Sequence, residues 1–147
     1  MNVVRTLLVI FCLGTAAVTG AAEFRSVGDQ PAIMYDAPSA KATRLFVASR
    51  MYPVEIIVPL DAWVKVRDQT GDLAWIEKKS LTDKRTVVVT AAVADVRTAA
   101  EEKSTSVFQA QKGVALEVIE IGSNGWIKVR HRDGQAGFVR INQVWGI

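Results

Sequence analysis

Residues Trp63-Val-Lys-Val-Arg-Asp-Gln-Thr-Gly-Asp-Leu-Ala-Trp-Ile76 return, in changed dress, as Trp126-Ile-Lys-Val-Arg-His-Arg-Asp-Gly-Gln-Ala-Gly-Phe-Val139. At an offset of 63, Trp63, Lys65, Val66, Arg67 and Gly71 meet Trp126, Lys128, Val129, Arg130 and Gly134. Trp75 meets Phe138 and Ile76 meets Val139. Upstream the offset is 62, where Met34, Ala37 and Phe46 meet Val96, Ala99 and Phe108. A repeat of this length means that one supersecondary plan is used twice.

Each copy reads as β-structure. Short runs rich in Val, Ile and aromatics (MYPVEIIVPL, WVKVRD, LAWIEK, TVVVTAAVADVR, VALEVIEI, WIKVRH, GFVRI) are divided by turn residues. Asp68-Gln-Thr-Gly71 and His131-Arg-Asp-Gly134 each end in glycine between adjacent runs, a hairpin signal. Thr98–Gln109, polar at Glu101-Glu-Lys-Ser104, reads as a loop. The fold class is therefore all-β, two small barrels in tandem. The domains run over 27–85 and 86–147. Their connection, Ser80-Leu-Thr-Asp-Lys-Arg-Thr86, is short and leads directly into Val87-Val-Val-Thr90. It is no flexible linker, so the copies are expected to touch.

Side chains along a strand alternate between its faces. In WVKVR, Val64 and Val66 share one face, and Trp63, Lys65 and Arg67 the other. Lys and Arg do not enter a core unpaired, so the valines point inward and Trp63 outward. The same reasoning places Trp126 outside with Lys128 and Arg130, and Trp75 and Phe138 outside on the following strand. An outward indole beside cations has two readings. It packs under a loop or against the other copy, or it takes part in recognition, for which Trp, Tyr and Arg are favoured.

The N-terminus has another character. MNVVR carries a positive charge, TLLVIFCLG is apolar, and TAAVTGAA is small, the layout of a secretory signal peptide over 1–22. The apolar run falls short of the roughly 20 residues that span a bilayer, so membrane contact is expected only during export. The destination is periplasmic or secreted. Cys12, the one cysteine, lies in that run with bulky Phe11 before it, which speaks against a lipid anchor. After cleavage no thiol remains for a disulfide, a nucleophile or a thiolate metal site. Removing Arg5 from 18 Lys and Arg leaves 17 against 15 acidic residues, with the signs mixed along the chain. A nucleic-acid footprint would gather the cations on one face, so no such partner is expected.

The segment Asn124-Gly-Trp-Ile-Lys-Val-Arg-His-Arg-Asp-Gly-Gln-Ala-Gly-Phe-Val139 resembles the consensus of bacterial SH3-like (SH3b) domains, and Ala94-Asp-Val-Arg-Thr-Ala-Ala100 resembles their opening motif. Both copies share the likeness. The whole resembles secreted tandem SH3b proteins of Gram-negative bacteria. The resemblance implies partly open five-stranded barrels that bind peptides or cell-wall glycopeptide. It puts Trp63 and Trp126 where such domains carry a groove tryptophan, and Tyr35 of Ile33-Met-Tyr-Asp-Ala37 near the same place. The proline and second tyrosine of a polyproline groove fall on Glu77 and Ser80, and on Arg140 and Gln143. A row of aromatic slots is thus missing for proline-rich peptides.

Candidate ligand-binding residues are Tyr35, Trp63, Lys65, Arg67, Trp75, Trp126, Lys128, Arg130 and Phe138. No catalytic residues, metal or cofactor are expected. His131, the one histidine, falls in a turn between two arginines as a solvated residue, and Glu101-Glu102 as solvated charge. The expected function is non-enzymatic: a binding or adaptor protein for peptidoglycan stem peptide or an envelope partner protein. The alternative is a structural or regulatory subunit of an envelope complex without affinity for the wall. Tyr35 facing Arg97 in the repeat suggests divergence, with copy one binding and copy two supporting it.

Overall fold

The computed structural model describes residues 20–147. Most of the expected leader, with Cys12, lies outside the described residues; Gly20–Ala22 are exposed and in no regular element. The first module comprises β1 (Phe24–Val27), β2 (Ala32–Tyr35), β3 (Arg44–Ala48), β4 (Pro53–Pro59), β5 (Trp63–Arg67), β6 (Leu73–Glu77), a 3-10 turn (Lys78–Ser80) and β7 (Leu81–Thr82). The second comprises β8 (Thr86–Val89), β9 (Val93–Arg97), β10 (Ser106–Gln111), β11 (Ala115–Ile121), β12 (Trp126–Arg130), β13 (Ala136–Arg140), a 3-10 turn (Ile141–Gln143) and β14 (Val144–Trp145).

The sheets run β3-β2-β6-β5-β4-β1-β7 and β10-β9-β13-β12-β11-β8-β14, one permutation used twice. Each sheet has seven strands. They are the five expected for an SH3-like barrel, β2 to β6 and their counterparts, with a short strand added at either end of the chain order. The repeat extends to irregularities. Register shifts fall between Ile56 and Val58 on β4, and between Val118 and Glu120 on β11. Such bulges bend a strand, as closing a small sheet on itself requires. Gly71 and Gly134 end their turns at φ 94° and 95°, where a Cβ would be strained.

The inward faces follow the alternation. Met34, Val54, Val64, Val66, Ala74 and Ile76 make one core; Val87, Val89, Val96, Leu116, Ile127, Val129 and Val139 make the other. Several strands lie outside the runs read from the sequence, among them β2 and β3. Ser106–Gln111 is a strand where a loop was expected through Gln109, because Ala110 and Phe108 pack on the core. The loop proper ends at Thr105, tied by Ser104 Oγ donating to the carbonyls of Ala99 (2.9 Å) and Glu101 (2.8 Å). β1 was likewise unassigned, yet it pairs with both β4 and β7.

The modules dock. All four residues of β8 are buried, although only Val87 and Val89 belong to its own core. On the opposite face Thr86 meets module one. Ser26 Oγ and Thr86 Oγ1 lie 2.6 Å apart, and Thr86 Oγ1 donates to the Met51 carbonyl at 2.7 Å. Phe24 meets Trp145 edge to face at 5.1 Å. A Cβ on Gly146 would come within 2.9 Å of Pro53 Cβ, so this glycine lets the chain end approach module one.

Candidate functional site

β5 and β12 carry most of the candidate residues, with Tyr35 on β2, Trp75 on β6 and Phe138 on β13, and the two modules use them differently. In module one Trp63 opens β5 opposite Glu77 on β6. Val64 and Val66 beside it are buried, whereas Trp63 is only half-buried. Tyr35 closes β2 but is only 6% exposed, which corrects its reading as a ligand-contacting residue; it backs Trp63 edge to face, ring centroids 5.3 Å apart and planes at 88°. That is the favoured geometry for two quadrupolar rings. Trp63 also lines an open cleft of about 480 Å³ with Asp61, Ala62, Glu77, Lys78 and Lys79. Lys79 Nζ is 2.5 Å from the Glu77 carboxylate, which holds the ammonium above its ordinary pKa. Lys65 Nζ stands 6.0 Å from the Trp75 ring, next along the same face.

In module two Trp126 keeps the outward side, outside its module's core cluster, but is only 4% exposed. This corrects the expectation that it is displayed. Its cover comes from Arg140, whose guanidinium lies 4.6 Å from the ring centroid. Glu102, in the loop before β10, holds that guanidinium through Nε at 2.8 Å and through Nη2 as well. Arg97 replaces Tyr35, pairing with Asp95 at 2.6 Å and donating to the Ser104 carbonyl at 2.7 Å. The adjoining cleft of about 470 Å³ is consequently polar, lined by Asp95, Arg97, Glu102, Arg140, Asn142, Gln143 and the indole. Glu102 thus remains an exposed charge, as expected, but one paired with Arg140.

The remaining candidates divide in the same way. Lys128 stands 5.8 Å from the Phe138 ring, mirroring Lys65 and Trp75. Arg67 and Arg130 do not join the indoles. Four residues along a strand span about 13 Å, and each arginine pairs instead with a glutamate on the neighbouring strand, Glu55 at 2.9 Å and Glu117 at 3.0 Å. His131 is half-buried, not solvated: Nδ1 lies 3.0 Å from Asp133, and its ring is 5.9 Å from Phe108. The Gln135 N–H and then His131 hold the Asp133 carboxyl below its ordinary range. Among the described residues no group of three or more His, Cys, Asp or Glu is placed to hold a metal ion.

Glu77, Lys78 and Lys79 border the aromatic pair and were missing from the sequence candidates, as was Arg140. A signal existed. Pairing β5 with β6 and β12 with β13 sets residue 77 opposite 63 and residue 140 opposite 126, so a charge reversal across each tryptophan was readable.

With twin antiparallel barrels and outward tryptophans in place, the comparison with known proteins is direct. Residues 28–83 and 90–146 each match the bacterial SH3 domain family. The chain belongs to that family, as a tandem pair of its domains. No curated protein matches it. Similar solved structures include NlpC2 and NlpC1 from Trichomonas vaginalis, at 13% and 14% identity with TM-scores of 0.39 and 0.40. They cover 85% and 93% of this chain, and 48% and 50% of their own. An NlpC/P60 family protein from Bacillus cereus is 17% identical, with a TM-score of 0.38, over 84% of this chain and 56% of that one. The chain therefore spans about half the length of the solved structures it resembles.

Proposed function

We propose that this protein is a non-enzymatic binding or adaptor module of the bacterial envelope. It takes a peptide-like ligand on module one, at the Trp63 indole that Tyr35 braces, while module two supports module one. The observation that carries this reading is the half-buried Trp63 indole, braced edge to face by the buried Tyr35 ring, beside a cleft with both charges on its rim. A rigid aromatic platform binds extended chains at low entropic cost, and Glu77 with Lys79 offers polar partners to a peptide's amides. Peptidoglycan stem peptide and an envelope protein segment both have that chemistry. Export through the leader over 1–22 belongs to the same reading.

The test is sedimentation with purified peptidoglycan sacculi. The parent protein pellets with sacculi, and Trp63→Ala, still folded by circular dichroism, stays in the supernatant. Equal pelleting of the two proteins would remove the site. A second reading, a subunit that docks on another protein without touching the wall, is favoured by Leu45, Phe46 and Val47. All three are exposed on β3 at the sheet edge. Under it, sacculi pellet neither protein.

A further inference from the structure

The two modules differ at a second place. β1 pairs Arg25 with Val54, and β8 pairs Val87 with Leu116, so Arg25 and Val87 are equivalent positions. Val87 is fully buried in its module's core. Arg25 shares the inward side of β1 with the core residue Val27, but a guanidinium cannot be left there without partners. Its head turns to the rim and is held by Glu23, at 3.2 Å from Nη2, and by Asp83. The end of the barrel stays open beneath it as a cleft of about 620 Å³. Ile56, Pro59, Val64 and Leu81 give it an apolar floor; Glu23, Arg25, Lys78 and Asp83 stand around the mouth.

Those four rim charges are not equally committed. Arg25 is occupied by two carboxylates, and they by it. Lys78 has no acidic partner within ion-pair distance among the described residues; Glu77 is taken by Lys79. The charge left for a ligand is therefore positive. Lys78 opens the 3-10 turn of module one, and the residue that opens the equivalent turn in module two is Ile141. Both features that define the cleft, the displaced arginine and the uncommitted lysine, thus belong to module one alone. A volume of this size falls within the range of roughly 300–1,000 Å³ typical of small-ligand sites.

We infer that this cleft is a binding site, separate from the Trp63 platform, for a short aliphatic group bearing a carboxylate. An aliphatic acyl-amino acid or the carboxyl-terminal residue of a peptide has that chemistry. The aliphatic part lies on Ile56, Val64 and Leu81, and the carboxylate meets the Lys78 ammonium. Lys78 also borders the Trp63 cleft, so one peptide can cross both sites, its last residue in the aliphatic one.

The test is methyl NMR on the full chain, with N-acetyl-leucine and N-acetyl-leucinamide as probes. The acid shifts the Ile56, Val64 and Leu81 methyl signals saturably, and the amide binds about tenfold more weakly because the charge-assisted contact is gone. Lys78→Ile, which installs the residue module two carries, abolishes that preference. Trp63→Ala leaves it intact, which separates this site from the aromatic platform. Unmoved methyls, equal shifts from acid and amide, a preference that survives in Lys78→Ile, or its loss in a folded Trp63→Ala would each overturn the assignment.

Discussion

Trp63 and Trp126 begin the same strand of the same barrel, yet one indole is half-open and the other is covered. The difference lies across the ladder. Trp63 faces Glu77, and Trp126 faces Arg140. A guanidinium is attracted to the negative face of an indole and lies over it, 4.6 Å away. A carboxylate is repelled by that face, so Glu77 turns to Lys79 and the ring stays available to Tyr35. The same outward position thus carries a half-open indole in one module and a covered one in the other, according to the charge across the ladder. A solitary outward tryptophan is ambiguous until its cross-strand partner is read with it.

The largest way to break this contrast is to delete the rings. Trp126→Ala is expected to cost about 3–5 kcal/mol in guanidinium unfolding, the usual range for a buried tryptophan. Trp63→Ala, half-exposed at the outset, is expected to cost about 1–2 kcal/mol. Equal costs would mean that the two indoles serve alike. A second contrast concerns the seam between β9 and β13. A Cβ on Gly137 would come 2.5 Å from the Arg97 carbonyl oxygen, whereas Ala74 holds the matching place in module one. Gly137→Ala is expected to cost about 2 kcal/mol by overpacking, and Ala74→Gly about 1 kcal/mol or less.

Exchanging the switch itself should have a smaller effect on stability. Arg140→Glu is expected to lower it by about 1 kcal/mol and to make Trp126 fluorescence redder and more quenchable by acrylamide. Glu77→Arg should close Trp63 and abolish sedimentation with sacculi. The smallest contrast is in pH response. Tyr52 of module one is held above the ordinary tyrosine value, first by burial, with the Asp68 charge adding to it. Its folded state keeps the proton more firmly, so its contribution is complete below about pH 10 and is lost as pH rises through the folded value. Asp133 of module two is held low, so its contribution is present above the ordinary carboxylate value and lost as pH falls through the folded one. Thermal melts should show Tyr52→Phe flattening only the alkaline limb and Asp133→Asn only the acid limb.

Much of this was legible in the amino-acid order. WVKVR and WIKVR alternate so regularly that strand faces, cores and the outward side of both tryptophans follow from side-chain period alone. The missing linker foretold that the modules touch. What covers each indole did not follow, because the cover is non-local: Glu102 reaches Arg140 from 38 residues away. β1 escaped because Phe24-Arg-Ser-Val27 mixes two faces, one turned to module two and one to the barrel's open end. The arginine in that strand reads as a surface charge until β-sheet register shows it standing where a core valine stands in the repeat.

The central claim, that recognition is confined to module one, is tested most directly by the indole N–H signals during titration with solubilised peptidoglycan fragments. The Trp63 signal should move saturably while the Trp126 signal stays fixed. A shift of Trp126, or a Trp63 signal that does not move at saturating fragment, would contradict it.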